Sequence, residues 1–137
     1  MSRKLKTYLE GLTALHSGER SYRRTNRLLG IDDSQRVHPT AIHPVVITHS
    51  ISGRKGLYVN RGFTMRINEL PEEGSDAILA HLYSHAEQPD FQIRFQWQPN
   101  SVAFWDNRAV QHLAVWDHFP HTRSGARVTI KGQALSA

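Results

Sequence analysis

Cysteine is absent from the 137 residues, so the chain can hold neither a disulfide nor a thiolate metal site. A transition metal would have to rest on histidine and carboxylate. No apolar run approaches the ~20 residues that a membrane-spanning helix requires. The opening MSRKLKTYLEGL lacks the apolar core of a secretory signal, which leads to the expectation of a cytoplasmic protein with no membrane partner. Internal repeats and low-complexity segments are also missing. So is any His-x-Asp pair, the spacing with which two ligands of an iron facial triad usually begin.

What is present suits one soluble domain over residues 1–137. A hydrophobic fraction of 39% and a mean hydropathy of -0.51 allow a real core without indicating disorder. The net charge of +5 is modest and is concentrated at Arg20, Arg23, Arg24 and Arg27. Only Tyr22 offers a stacking aromatic there, so the cluster reads as a solvated helix face or an inter-subunit surface, and no nucleic-acid partner is expected.

Leu5, Tyr8, Leu9, Leu12 and Leu15 recur at steps of three and four, predicting a helix over residues 3–16. Residues 17–41 are polar and basic with several turn signals, and they read as a flexible loop or lid. Val45–Thr48 and Leu57–Val59 flank the turn Ser52-Gly53-Arg54-Lys55-Gly56 and predict a hairpin. Phe63 to Leu70 is expected to form a short helical turn with Phe63 and Ile67 facing inward. Pro71, followed by Glu72, Glu73 and Asp76, opens a helix that Pro89 closes, giving residues 71–87. Beyond it Phe91, Ile93, Phe95 and Trp97 alternate with polar residues as in a half-buried strand. Pro99-Asn100 turns the chain towards Val102–Trp105, and 112–116 and 126–131 are two more candidate strands. Helical and irregular segments precede strand-rich ones, the order of an α+β chain or of a β-barrel with helical insertions.

The stretch from Trp97 to Gly132 holds the chemistry. His112 lies in a strand-like run, with Arg123 eleven residues later and Arg127 fifteen residues later. Trp97, Phe104, Trp105 and Trp116 offer aromatic surface for a pocket. A histidine followed by two arginines suits a metal ligand followed by two anchors for anions, because guanidinium grips carboxylate or sulfonate with two parallel hydrogen bonds. Two other histidine arrangements compete. His85-Ala86-Glu87 is a His-x-Glu at the end of a helix, where residues two apart point to different faces. His112, His118 and His121 could in principle share a zinc ion.

HPVVITHSISGRKGLYVNRGFTMRI, PDFQIRFQWQPNSVAFWDNRAVQHLAVWD and TRSGARVTIKG resemble the taurine dioxygenase family of iron(II)- and 2-oxoglutarate-dependent oxygenases. The resemblance covers roughly residues 43–132, and YLEGLTALH near the start is similar as well. It implies an α+β, mainly β fold: a partial double-stranded β-helix, or jelly roll, with helical insertions and without its N-terminal strands. It implies His112 as the distal histidine of the iron triad and Arg123 as the arginine for the far carboxylate of 2-oxoglutarate. Arg127 would bind a sulfonate-like substrate, Phe63 would line the substrate pocket, and Trp105 would stand near the iron. Asp106 and Asn107 would set the turn that presents His112. The family's His-x-Asp precedes the part matched here, so no complete catalytic set is expected in this chain.

The implied reaction hydroxylates a small anionic substrate with dioxygen while 2-oxoglutarate becomes succinate and carbon dioxide. The expectation is therefore the C-terminal portion of such a dioxygenase, a homo-oligomer. Ser124-Gly125-Ala126 between the arginines would widen the pocket and argues against taurine itself. The alternatives are a truncated, non-catalytic remnant that binds anions, and an oligomerising β domain with open strand edges.

Overall fold

The computed structural model describes residues 1–115, 117–132 and 135. Helix α1, Arg3–Leu9, opens on Ser2, whose Oγ accepts from the Leu5 amide at 3.2 Å. It is shorter than the leucine spacing predicts. Gly11 follows it, and strand β1 begins at Thr13 and runs to Ser17. Leu12 and Leu15 fit a helical stripe and a strand equally well by spacing. The decisive partners are two strands far along the chain that flank β1 on both sides.

Those strands are β2, Thr40–Pro44, and β5, Thr64–Ile67, giving an antiparallel sheet in the order β2-β1-β5. Ala14 lies opposite His43 on one side and Ile67 on the other. The β1–β5 register slips between Leu15 and His16, so Thr64 comes opposite His16. The Phe63–Leu70 segment is thus strand rather than helical turn. Ile67 is fully buried as expected, whereas Phe63 is 41% exposed.

After Pro44 the same extended chain changes partner. Strand β3, Val46–Thr48, pairs antiparallel with β4, Lys55–Leu57, so the expected hairpin forms. Gly53 takes φ +65° in its turn, a conformation that suits glycine. Between β2 and β3 the Val45 amide donates to the Leu12 carbonyl and the Tyr58 amide to the Val45 carbonyl. Val45 thereby couples sheet and hairpin.

The basic segment, read as irregular from its polarity, contains helix α2, Glu19–Leu28. Ser17 Oγ accepts from the Glu19 amide, Glu19 pairs with Arg23 at 2.8 Å one turn on, and Gly30 at φ +68° follows the C-terminus. No residue of α2 is buried, so local signals rather than an apolar stripe hold it. Helix α3, Glu72–Ala86, matches the predicted span closely, with Pro71 as its N-cap.

The core joins Leu9 and Leu12 to Ala14, Val45, Val59 and Ile67 and to Leu79 and Leu82 of α3. Each fully buried Leu or Ile here contributes on the order of 2 kcal/mol through removal of apolar surface from water. Ser75 fastens α3 to the sheet by accepting the Ile67 amide on Oγ at 2.9 Å.

The strand candidates after α3 have no ladder among the described residues. Pro89–Phe91 is a short 3₁₀ turn, and the described residues between 92 and 132 form no strand. Pro99-Asn100 does turn the chain, with Asn100 at φ 65° and the Ser101 amide donating to the Gln98 carbonyl. Ile93 is 95% exposed, Phe104 87% and Val128 92%. The alternation is real, but these apolar faces are uncovered. Among the described residues the architecture is α+β, with more residues in helices than in strands.

Candidate functional site

Two groups of side chains stand out, and they belong to different parts of the chain. The first surrounds Phe63. Asn60 builds its loop: Oδ1 accepts from the Gly62 and Phe63 amides at 3.1 and 2.9 Å. Its own amide donates to Thr64 Oγ1 at 2.9 Å. The Ser17 amide donates to the Phe63 carbonyl, and Ser21 Oγ on α2 donates to the Gly62 carbonyl at 2.7 Å. These bonds bring the Tyr22 ring to 6.2 Å from Phe63, edge to face.

A shallow cavity of about 230 Å³ opens between them, lined by His16, Ser17, Gly18, Tyr22, Pro39, Ala41 and Phe63. Gly18 permits this packing, since a Cβ there would lie 2.4 Å from the Tyr22 ring. Phe63 is one wall of this cavity, and Tyr22 is a second that no local sequence signal marks. Tyr22 also stacks on His38 at 5.9 Å.

Beneath the cavity three rings meet. His16 and His43 lie on the same face of adjacent strands with centroids 5.2 Å apart, and Tyr58 is 5.7 and 5.3 Å from them. Burial, and then the neighbouring His43, push the His16 imidazole down from 6.5 to about 4. His16 is thus neutral at pH 7.

The second group is the WDNR-x-x-QH segment. Trp105 stands beside His112 with centroids 4.9 Å apart, and its indole N–H donates to Asn107 Oδ1 at 2.8 Å. Asp106 Oδ1 accepts from the Arg108 amide at 2.9 Å, and the Asp106 carboxylate also pairs with the Arg108 guanidinium. The expected Asp-Asn turn is formed. Arg108, followed by His49, holds the Asp106 carboxyl well below the usual carboxylate range.

His112, Arg123 and Arg127 are exposed, and neither arginine forms an ion pair among the described residues. Among the described residues, the aromatics near them in sequence are not among those lining the cavity around Phe63. Trp97 packs edge-on against Phe95 at 4.9 Å, Phe104 is solvent-facing, and Trp116 lies outside the described residues. The cavity is built instead by β1, β2, α2 and the Phe63 loop.

The donors for a metal are correspondingly sparse. His112 can offer an imidazole nitrogen, but no group of three or more histidine or carboxylate side chains is assembled among the described residues. His118 and His121 join no such group. Glu87 is gripped by Arg61 at 2.7 and 3.0 Å, while His85 packs on Phe91 at 5.4 Å, so this pair serves structure. The described residues assemble no complete iron site. No helix among the described residues is long and apolar enough to cross a membrane.

A solved taurine dioxygenase from Burkholderia xenovorans is 33% identical, with a TM-score of 0.62, over 80% of this chain and 33% of its own. An alpha-ketoglutarate-dependent sulfonate dioxygenase of Saccharomyces cerevisiae is 39% identical over 94% of this chain and 31% of its own length. An alpha-ketoglutarate-dependent sulfate ester dioxygenase of Pseudomonas putida is 32% identical over 94% of this chain and 45% of its own.

Residues 1–129 match the taurine catabolism dioxygenase TauD, TfdA family, and the chain belongs to it. It spans less than half the length of each of these relatives.

Proposed function

We propose that this chain carries the 2-oxoglutarate- and substrate-anchoring portion of an iron(II)-dependent dioxygenase that hydroxylates a small sulfonate- or sulfate-bearing substrate. His112 supplies one iron ligand, Arg123 grips the far carboxylate of 2-oxoglutarate, and Arg127 takes the anionic group of the substrate. Phe63 and Tyr22 pack its hydrocarbon part, and Trp105 shields the His112 ring from solvent on one side. When bound, iron would supply the activation of dioxygen, with 2-oxoglutarate leaving as succinate and carbon dioxide. The part played by this chain's own side chains is to bind and to orient, since the described residues assemble no full set of metal ligands around His112.

The observation that supports this most is the spacing of His112, Arg123 and Arg127 within a chain whose relatives are named for sulfonates and sulfate esters. Two exposed guanidiniums with no ion pair among the described residues leave both forks available to ligand. The cavity of about 230 Å³ suits a short aliphatic chain. Titration with 2-oxoglutarate, followed by the side-chain signals of labelled arginine, tests the assignment. Arg123→Ala weakens binding at least tenfold, about 1.4 kcal/mol, and Arg127→Ala leaves it intact. Equal affinity in Arg123→Ala refutes the role of Arg123.

The uncovered faces of Ile93, Phe104 and Val128 support a second reading, an oligomerising β domain that pairs with a second copy of this chain. Light scattering distinguishes it: a monomer at micromolar concentration excludes self-association.

A further inference from the structure

Residues 106–112 have only one short turn of their own to hold them, yet they are tied down at both ends to the β3–β4 hairpin. At the first end, His49 Nε2 lies 3.0 Å from Asp106 Oδ2. The other imidazole nitrogen, Nδ1, accepts the Ser52 amide at 3.1 Å. A nitrogen that accepts carries no proton, so His49 is the Nε2–H tautomer and donates to Asp106. Arg108 adds a strap, reaching from Asp106 to Ser50 Oγ at 2.8 Å. At the second end, Gln111 Nε2 donates to the Val59 carbonyl at 2.9 Å, just beyond β4. His112 is the next residue.

We propose that His49 and Gln111 are positioning residues for His112. Asp106 and Gln111 are pinned 57 and 52 residues away in sequence, one to the hairpin turn and one to its exit. The segment between them is tethered on both sides, and Trp105, bonded to Asn107, lies against the His112 ring. The hairpin is itself anchored to the core through Val45 and Val59, both buried. A ring on a stretch without strand partners of its own thus inherits the rigidity of the folded part. The functional meaning of this clamp rests on the reading of His112 as an iron ligand, since a ligand must be held within ~0.5 Å of its working place.

The test is a nuclear Overhauser contact between the Trp105 indole and the His112 ring in histidine- and tryptophan-labelled protein. The contact is present in the parent chain and lost in His49→Ala and in Gln111→Glu, which keeps size but removes the donor. His49→Gln restores it, because the amide donates to Asp106 as the imidazole does. Methyl signals of Leu9, Ile67 and Leu82 remain unchanged throughout, which separates loss of the clamp from loss of the fold. Persistence of the contact in His49→Ala, or its absence from the parent chain, overturns the proposal. Addition of cobalt(II) to the same samples reports separately on the ligand reading: His112 signals that do not respond refute that role while the clamp stands.

Discussion

The indole of Trp105 lies 4.9 Å from the imidazole of His112, tilted by 54°. This ring contact falls on the residue proposed as an iron ligand, and it makes Trp105 a built-in reporter. In a chain with Trp97→Phe and Trp116→Phe, nickel(II) or cobalt(II) bound at His112 quenches Trp105 emission. His112→Ala abolishes the quenching. Undiminished quenching in His112→Ala places the metal elsewhere.

Leu82 is fully buried on α3, against a core that includes Ile67 and Leu79. Leu82→Ala removes methyl groups that the neighbours cannot replace. A loss of about 2–5 kcal/mol in urea unfolding is expected. A loss below ~1 kcal/mol would mean that α3 does not pack on this sheet through Leu82.

Ser75 is almost entirely buried, and its Oγ accepts the Ile67 amide. Ser75→Ala leaves that N–H without a partner in an apolar surround. The expected cost is about 1–3 kcal/mol, more than the removal of an exposed hydroxyl would produce. Hydrogen exchange of the Ile67 amide should accelerate in parallel.

His16 gives the stability a pH dependence of definite sign. In the folded chain its imidazole titrates near 4, and its ordinary value is 6.5. Between these two values the unfolded chain binds the proton and the folded chain does not, so stability rises with pH through that window. The contribution is fully present above pH 6.5 and lost by about pH 4, a change of ~3 kcal/mol at most. Urea midpoints at pH 7, 5.5 and 4 measure it. His16→Gln flattens the dependence, and an equally steep profile in that variant assigns it to another group.

Helix α3 was legible because its signals are local: Pro71, an acidic first turn and a terminal Pro89. The β3–β4 hairpin was legible for the same reason. Strand β1 was not, because Leu9, Leu12 and Leu15 satisfy a helical spacing, and only the distant β2 and β5 turn Thr13–Ser17 into a strand. Helix α2 was hidden by the opposite bias: it buries nothing, so there was no apolar stripe to find. Alternation in Phe91–Trp97 records a face that needs covering, not the strand that covers it, and the described residues provide no such strand. The candidate residues His112, Arg123, Arg127, Trp105 and Phe63 came from motif spacing and family resemblance, and of these the described contacts join Trp105 to His112. Tyr22 and His49 did not, since their partners Phe63 and Asp106 are 41 and 57 residues away and no local pattern links them.

His112 and Arg123 are proposed to take their places in an iron and 2-oxoglutarate site. The most direct test of this grafts this chain in place of the matching third of the Saccharomyces cerevisiae sulfonate dioxygenase. The folded graft is then titrated anaerobically with iron(II) and 2-oxoglutarate. The visible charge-transfer band of the chelate is expected, absent in His112→Ala and shifted to higher 2-oxoglutarate concentration in Arg123→Ala. A band that survives His112→Ala unchanged, or a folded graft with no band, contradicts it.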